Sequence, residues 1–182
     1  MPGNKLIAVI GSGTQSYPSL SIPLGQWLAE QGHDLLTGGG SGVMAEAAKA
    51  FTSAENRQGR AIGILPAAEL YPTSEARAAY QSPKGYPNPY IDLVIRTHLP
   101  YSGVRGKELA SRNHIIVLSA DFIIALPGGE GTRSEIELAL EYGRPLVIVS
   151  PQDEWKEFAS RARVVKTVAE VCNRLNGWIH HQ

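Results

Sequence analysis

Three times in this chain a short apolar run breaks off at a glycine-rich turn and passes into a stretch with helical periodicity. Lys5 to Ile10 ends at Gly11-Ser12-Gly13-Thr14, and His33 to Thr37 ends at Gly38-Gly39-Gly40-Ser41-Gly42. Asp121 to Leu126 ends at Pro127-Gly128-Gly129-Glu130-Gly131-Thr132. Apolar runs this short and continuous suit strands covered on both faces. Strands alternating with helical stretches of about 10–15 residues imply βαβ units and a parallel sheet. The expected fold is therefore α/β, a Rossmann-like three-layer arrangement with a parallel sheet of six or seven strands and helices on both faces. All three turns would then lie at the carboxyl edge of the sheet, where such folds take up ligands.

The intervening segments fit this plan. A helix is expected from Ser19 or Ser21, either able to cap, with Pro23 in its first turn and Leu24, Trp27 and Leu28 on one face. A second helix should run from Val43 to Ser53 with Met44, Ala47 and Ala48 inward. Arg60 to Leu65 reads as a third strand and Asp92 to Thr97 as a fourth. Gly103 to Ser119 reads as helical in its later part, with Arg112 on a helix whose other face carries Leu109, Ile116 and Val117. Pro145 to Val149 supplies a sixth strand, and two closing helices are expected at Glu154 to Ala162 and Val168 to Leu175. The stretch Ser82 to Tyr90 holds three prolines and one glycine, which marks an ordered or semi-ordered surface loop.

With 182 residues and 43% apolar content, the chain can bury a full core as a single domain, 1–182, carrying that proline-rich insert near 82–90. Its 17 basic and 17 acidic residues balance, and no basic run occurs, so nothing points to nucleic acid or an anionic membrane. Cys172 is the single cysteine, which excludes an internal disulfide and a thiolate zinc site; no metal site is expected. The apolar run Leu6 to Ile10 is too short for a membrane span or a signal-peptide core. A cytoplasmic protein is the expectation.

The chemistry should sit on the glycine turns. Backbone amides of Gly11, Ser12, Gly39, Gly40, Ser41, Gly42, Gly128, Gly129, Glu130, Gly131 and Thr132 are the candidate contacts for a phosphate or similar anion. Neither a dinucleotide fingerprint nor a P-loop is present: Gly11-x-Gly13 lacks the third glycine, and no Lys-Ser/Thr pair follows a glycine run. Arg112 offers a planar guanidinium fork suited to phosphate, and an exposed salt bridge is the alternative. Asn113 could bridge backbone and ligand or cap a local turn. His114 reads as an ordinary hydrogen-bonded side chain. Thr132-x-x-Glu135 has capping-box spacing, yet the same position sets the Glu135 carboxylate beside the turn, where it could accept a proton or hold a hydroxyl. Arg133 and Glu137 are expected to face solvent.

Gly38-Gly39-Gly40-Ser41-Gly42-Val43-Met44, Arg112, and Pro127-Gly128-Gly129-Glu130-Gly131-Thr132 through Glu135 carry a resemblance to a known family. Over about residues 5 to 150 the chain resembles the Lonely guy, or lysine decarboxylase-like, Rossmann superfamily, which includes cytokinin-activating phosphoribohydrolases. The resemblance adds Met44 to the binding set. It implies a homodimer or dimer of dimers and no metal or nicotinamide requirement. For an enzyme of this kind it puts the catalytic pair at Arg112 and Glu135, acting on the N-glycosidic bond of a nucleoside 5'-monophosphate. Asn113 stands where those hydrolases usually have lysine, and Ser134 where they usually have a second glutamate. The stretch Ser111 to Val149 looks more like the molybdenum cofactor carrier branch, whose members bind a phosphate-bearing pterin. The expected function is therefore molybdenum cofactor binding, with the cofactor as cargo. A nucleoside monophosphate hydrolase and a nucleotide-sensing domain are the alternatives, and turnover is left open.

Overall fold

The computed structural model describes residues 4–181; the outermost residues of the expected domain, 1–3 and 182, lie outside them. Seven strands form one parallel sheet: β1 (Leu6–Ile10), β2 (Asp34–Thr37), β3 (Ala61–Leu65), β4 (Leu93–Arg96), β5 (Phe122–Ala125), β6 (Leu146–Val149) and β7 (Arg163–Val165). Their order across the sheet is β4-β3-β2-β1-β5-β6-β7, every pairing parallel. The chain winds outward from β1 to β4 and then returns to lay β5 against the free side of β1. That reversal opens a crevice beyond the carboxyl ends of β1 and β5. β7 has no counterpart among the individually expected strands, because its residues Arg163-Val164-Val165 are too few to show a period.

Six helices complete the layers: α1 (Pro18–Glu30), α2 (Val43–Thr52), α3 (Ser74–Ala78), α4 (Asn113–Ser119), α5 (Glu130–Glu141) and α6 (Val168–His180). Strand pleating divides the core in two. Ile7, Val9, Leu35 and Ile124 point toward α1, α2 and α6, meeting Leu24, Leu28, Phe51 and Leu175. Ala8, Ile10, Leu36 and Ile123 point the other way, toward Ile116 and Val117 of α4 and Ile136 and Ala139 of α5. Gly25 lets α1 and α2 approach closely, since a side chain there would run into the Ala47 carbonyl.

The two edges of the sheet are chemically different. At the amino edge, Asp34, Asp92 and Asp121 accept the amides of Arg60, Ala61 and Leu6 at 2.7, 2.8 and 2.8 Å. Those carboxylates are occupied with backbone. At the carboxyl edge the glycine turns leave amides instead.

Several sequence expectations change at helix ends. Helix α1 begins earlier than expected: its cap is Tyr17, in the left-handed region at φ 43°, and Pro18 opens the helix, so Pro23 falls inside it rather than in the first turn. Instead of capping, the Ser21 hydroxyl donates to the Ser16 carbonyl at 2.6 Å. Leu109 does not share the buried face of α4; it precedes that helix and is 93% exposed. In place of a helix from 154 to 162 there is a short 3-10 turn, Lys156–Phe158, which buries Trp155 and Phe158 against the α5 side of the core. Among the described residues the capping box belongs to Thr167 and Glu170 at the start of α6, not to Thr132 and Glu135.

Candidate functional site

The start of α5 decides the site. Gly129 is its cap and Glu130 its first residue, so Thr132 and Glu135 lie inside the helix and cannot form the expected box. A capping box needs the threonine to stand before the first helical residue; here Gly128-Gly129 take that place because the turn is tight. A side chain at Gly128 would strike the Thr132 hydroxyl and come within 2.9 Å of the Ser12 amide. No side chain caps this helix. Its first amides therefore have no acceptor within the helix, and they present the positive end of the helix dipole.

The other two turns are tied to this one. Ser12 N–H donates to the Pro127 carbonyl at 3.0 Å, and Val43 N–H donates to the Ser12 carbonyl at 2.9 Å. The Ser12 hydroxyl accepts the Thr14 and Gln15 amides at 3.2 and 2.9 Å, folding residues 11–15 into a rim. Gly42, at φ 64°, leaves no space for a Cβ against the Ser12 carbonyl. The three turns are thus joined through Ser12 into one continuous unit.

Arg112 rises into the enclosed space. It caps α4 rather than lying on it, and only 5% of its surface is exposed. Its Nη1 donates to the Asn113 side-chain oxygen at 3.0 Å, while its Nε is buried without a protein partner. Gly38 is a glycine for this reason: a Cβ there would fall 2.6 Å from Arg112 Nη2 and 2.9 Å from Met44 Sδ. Asn113 is buried too, and its Nδ2 donates to Ser134 Oγ at 2.9 Å; that hydroxyl donates to the Gly131 carbonyl at 2.7 Å. A chain of hydrogen bonds therefore runs from the guanidinium to the first turn of α5. Asn113 and Ser134, the two departures from the hydrolase pattern, touch each other and constitute one feature.

Glu135 is 7% exposed, and burial pushes its carboxyl up to about 7, against the opposing pull of the Arg112 charge. Desolvation of the charged form outweighs the cation. His114 meets the bland expectation, with Nδ1 at 2.7 Å from the Tyr142 hydroxyl and Nε2 at 3.0 Å from the Glu108 carbonyl. Arg133 lies outside, paired with Glu157 at 2.5 Å, and Glu137 faces Lys107 at 3.4 Å.

Together these groups line a cavity of about 280 Å³. Of the residues expected from sequence, Gly11, Ser12, Met44, Arg112, Asn113, Gly129, Gly131, Thr132 and Glu135 line it. Gly39, Gly40, Ser41, Gly42, Gly128 and Glu130 do not. Gly39, Gly42 and Gly128 shape the turns from behind, because their lack of a side chain serves close packing rather than ligand approach. Ser41 and Glu130 project to solvent. Val9, Ile10, Gly13, Thr14, Gly38, Ser102 and Tyr86 also line the space without having been singled out. Gly13, Thr14 and Gly38 belong to turns that the sequence marked. Tyr86 could not be foreseen: its loop reaches the site through Asn88, whose backbone and side chain bond to Gly39 and Gly40, 48 or more positions away.

Among the described residues no group of three or more His, Cys, Asp or Glu side chains could hold a metal ion, and no helix is long and apolar enough to cross a membrane.

Comparison with known proteins matches residues 4–174 to the model of the SLOG cluster4 family. An uncharacterized protein of Archaeoglobus fulgidus is 33% identical over 147 residues, 80% of each chain. Among solved structures, the molybdenum cofactor binding protein of the phototrophic bacterium Rippkaea orientalis superposes with a TM-score of 0.76 at 28% identity, covering 98% of this chain and 99% of that one. The Moco carrier protein of Chlamydomonas reinhardtii superposes with a TM-score of 0.74 at 25% identity, over 99% and 100% of the two chains.

Proposed function

Since this chain belongs to the SLOG cluster4 family, we propose that it is a molybdenum cofactor binding protein of the carrier type, with the phosphate-bearing pterin as cargo. One observation carries the reading: the uncapped start of α5 faces a buried arginine whose Nε has no protein partner. A phosphate between them gains the helix dipole, backbone amides and a charge-assisted fork at once. Two of the solved structures it resembles are named for binding or carrying this cofactor.

The other polar groups support binding over turnover. A carboxyl displaced to about 7 is largely neutral at mildly acid pH and repels an incoming phosphate less than an ordinary glutamate would. The same displacement weakens the hydrolase reading. Positive charge develops on ribose as a base departs, and a neutral carboxyl stabilises it poorly. Yet a value near 7 also suits a general acid or base, and this is what keeps hydrolysis, with Arg112 and Glu135 as the pair, as the second reading. Asn113 and Ser134 replace two charges of opposite sign by a neutral, hydrogen-bonded couple, so local net charge is unaltered while the arginine stays anchored.

The reading extends to a homodimer in the cytoplasm. In its support, Leu118 on α4 and Tyr142 after α5 are exposed at 54% and 37%, as are Leu93 and Ile95 of edge strand β4 at 40% and 41%. Calorimetry with molybdenum cofactor and with a simple pterin phosphate, alongside chromatographic assay of base release from AMP and cytokinin monophosphates, tests the function. Binding without base release is expected. Turnover of about 1 per second, abolished by Glu135→Gln, would overturn it in favour of the enzyme.

A further inference from the structure

The proline-rich loop is the one sequence feature that the anion site does not absorb. It is built onto that site with care. Asn88 is 6% exposed, its backbone N–H donates to the Gly39 carbonyl at 2.8 Å, and its Nδ2 donates to the Gly40 carbonyl at 2.8 Å. Its own side-chain oxygen accepts the Tyr90 amide at 3.0 Å. The two donors clamp the loop to the turn after β2, and the side-chain oxygen braces the loop itself. The clamp delivers Tyr86. The phenol end of its ring lies directly over Gly40, where a Cβ would come within 2.7 Å of Cζ and Oη, and the residue lines the cavity.

The strand order gives this placement a meaning. β2 and β5 flank β1 on opposite sides, so Tyr86, over the turn after β2, and the α5 amides, after β5, form opposing walls. A phosphate held at the α5 wall leaves the rest of its ester extending toward the tyrosine. Among the described residues Tyr86 is the one aromatic side chain lining the cavity, and a planar heterocycle gains from contact with an aromatic ring whatever its edge pattern. We infer that Tyr86 is the surface against which the planar ring of the bound phosphate ester packs, and that Asn88 is the positioning residue that holds it there. This rests on the anion site described above and adds the recognition of the ring.

Three probes separate the parts: inorganic phosphate, a pterin phosphate and AMP, titrated by calorimetry into the full chain and its variants. Tyr86→Ala lowers affinity for the preferred ring compound by about tenfold or more and leaves inorganic phosphate unchanged. Tyr86→Phe retains ring affinity, because the contact is with the ring and not the hydroxyl. Asn88→Asp, which turns a donor into an acceptor facing the Gly40 carbonyl, reproduces the selective loss with Tyr86 intact. Equal affinity of wild type and Tyr86→Ala for ring compounds refutes the inference while the anion site stands. So does a wild type that binds phosphate and ring compounds equally well. Should AMP be preferred over the pterin, with the same dependence on Tyr86, the ring contact is upheld and the cofactor assignment fails. If wild type binds none of the three, both fall together.

Discussion

Replacing Glu135 with glutamine removes a carboxyl that is buried at the base of the cavity and keeps its shape and hydrogen-bonding capacity. In the folded chain this carboxyl is pushed from the ordinary 4.5 up to about 7, by burial first and against Arg112. The folded state therefore binds the proton more tightly than the unfolded one. Its contribution to stability is fully present below about 4.5 and is lost as pH rises through 7, where the charged form must be accommodated. The displacement from 4.5 to about 7 corresponds to about 3 kcal/mol. Glutamine mimics the protonated form at every pH. The variant should thus equal wild type near pH 4.5, gain on it through pH 5 to 7, and level off above pH 7 at about 3 kcal/mol more stable. In a domain of this size that is a rise in melting temperature of about 10 °C. Denaturant unfolding of both proteins, without ligand, at pH intervals from 4.5 to 8.5 reads it directly. A difference that does not change with pH, or a variant less stable than wild type at pH 8, would refute the reasoning. A stability gain of this kind would also identify Glu135 as kept for the ligand rather than for the fold.

Arg112→Met should fold, since Met44 and Gly38 already border the space it fills, and should lose phosphate affinity by about tenfold or more in calorimetry; unchanged affinity would remove Arg112 from the site. The same variant should move the Glu135 titration further upward, because the one opposing charge is gone, and a downward movement would contradict that cause. Gly128→Ala should cost about 2 kcal/mol in denaturant unfolding, because its Cβ meets the Thr132 hydroxyl and the Ser12 amide. Gly131→Ala should keep the fold, its Cβ finding nothing nearer than 3.7 Å, yet weaken phosphate binding by crowding the α5 amides; equal stability of the two variants would argue against the packing account. Sedimentation should show a dimer at micromolar concentration, disrupted by Leu118→Glu at the exposed edge of α4, and a monomeric wild type would contradict the assembly.

What the sequence determined by itself was the periodic part. Ile7, Val9, Leu35 and Ile124 are apolar because both faces of their strands are covered, and a run of such residues ending in glycine reads as a strand and a turn wherever it folds. The sheet, its parallel sense and the common edge of the three turns follow from that order. Arg112 and Glu135 stood out by their chemistry and position beside the turns, and the family likeness added Met44; all three line the cavity. The tertiary structure alone decided which turn atoms face inward. Gly39, Gly42 and Gly128 are as conspicuous in the sequence as Gly11 and Gly129, but Gly42 and Gly128 serve contacts between turns that are distant along the chain, and Gly39 makes room for Leu65 of β3. It also moved the start of α5 to Glu130, turning an expected capping box into a row of free amides, since helix ends depend on packing that local spacing does not encode. The placement of Tyr86 belongs here as well. Two hydrogen bonds from Asn88 to the turn after β2 carry it, and no local pattern records where a loop will land.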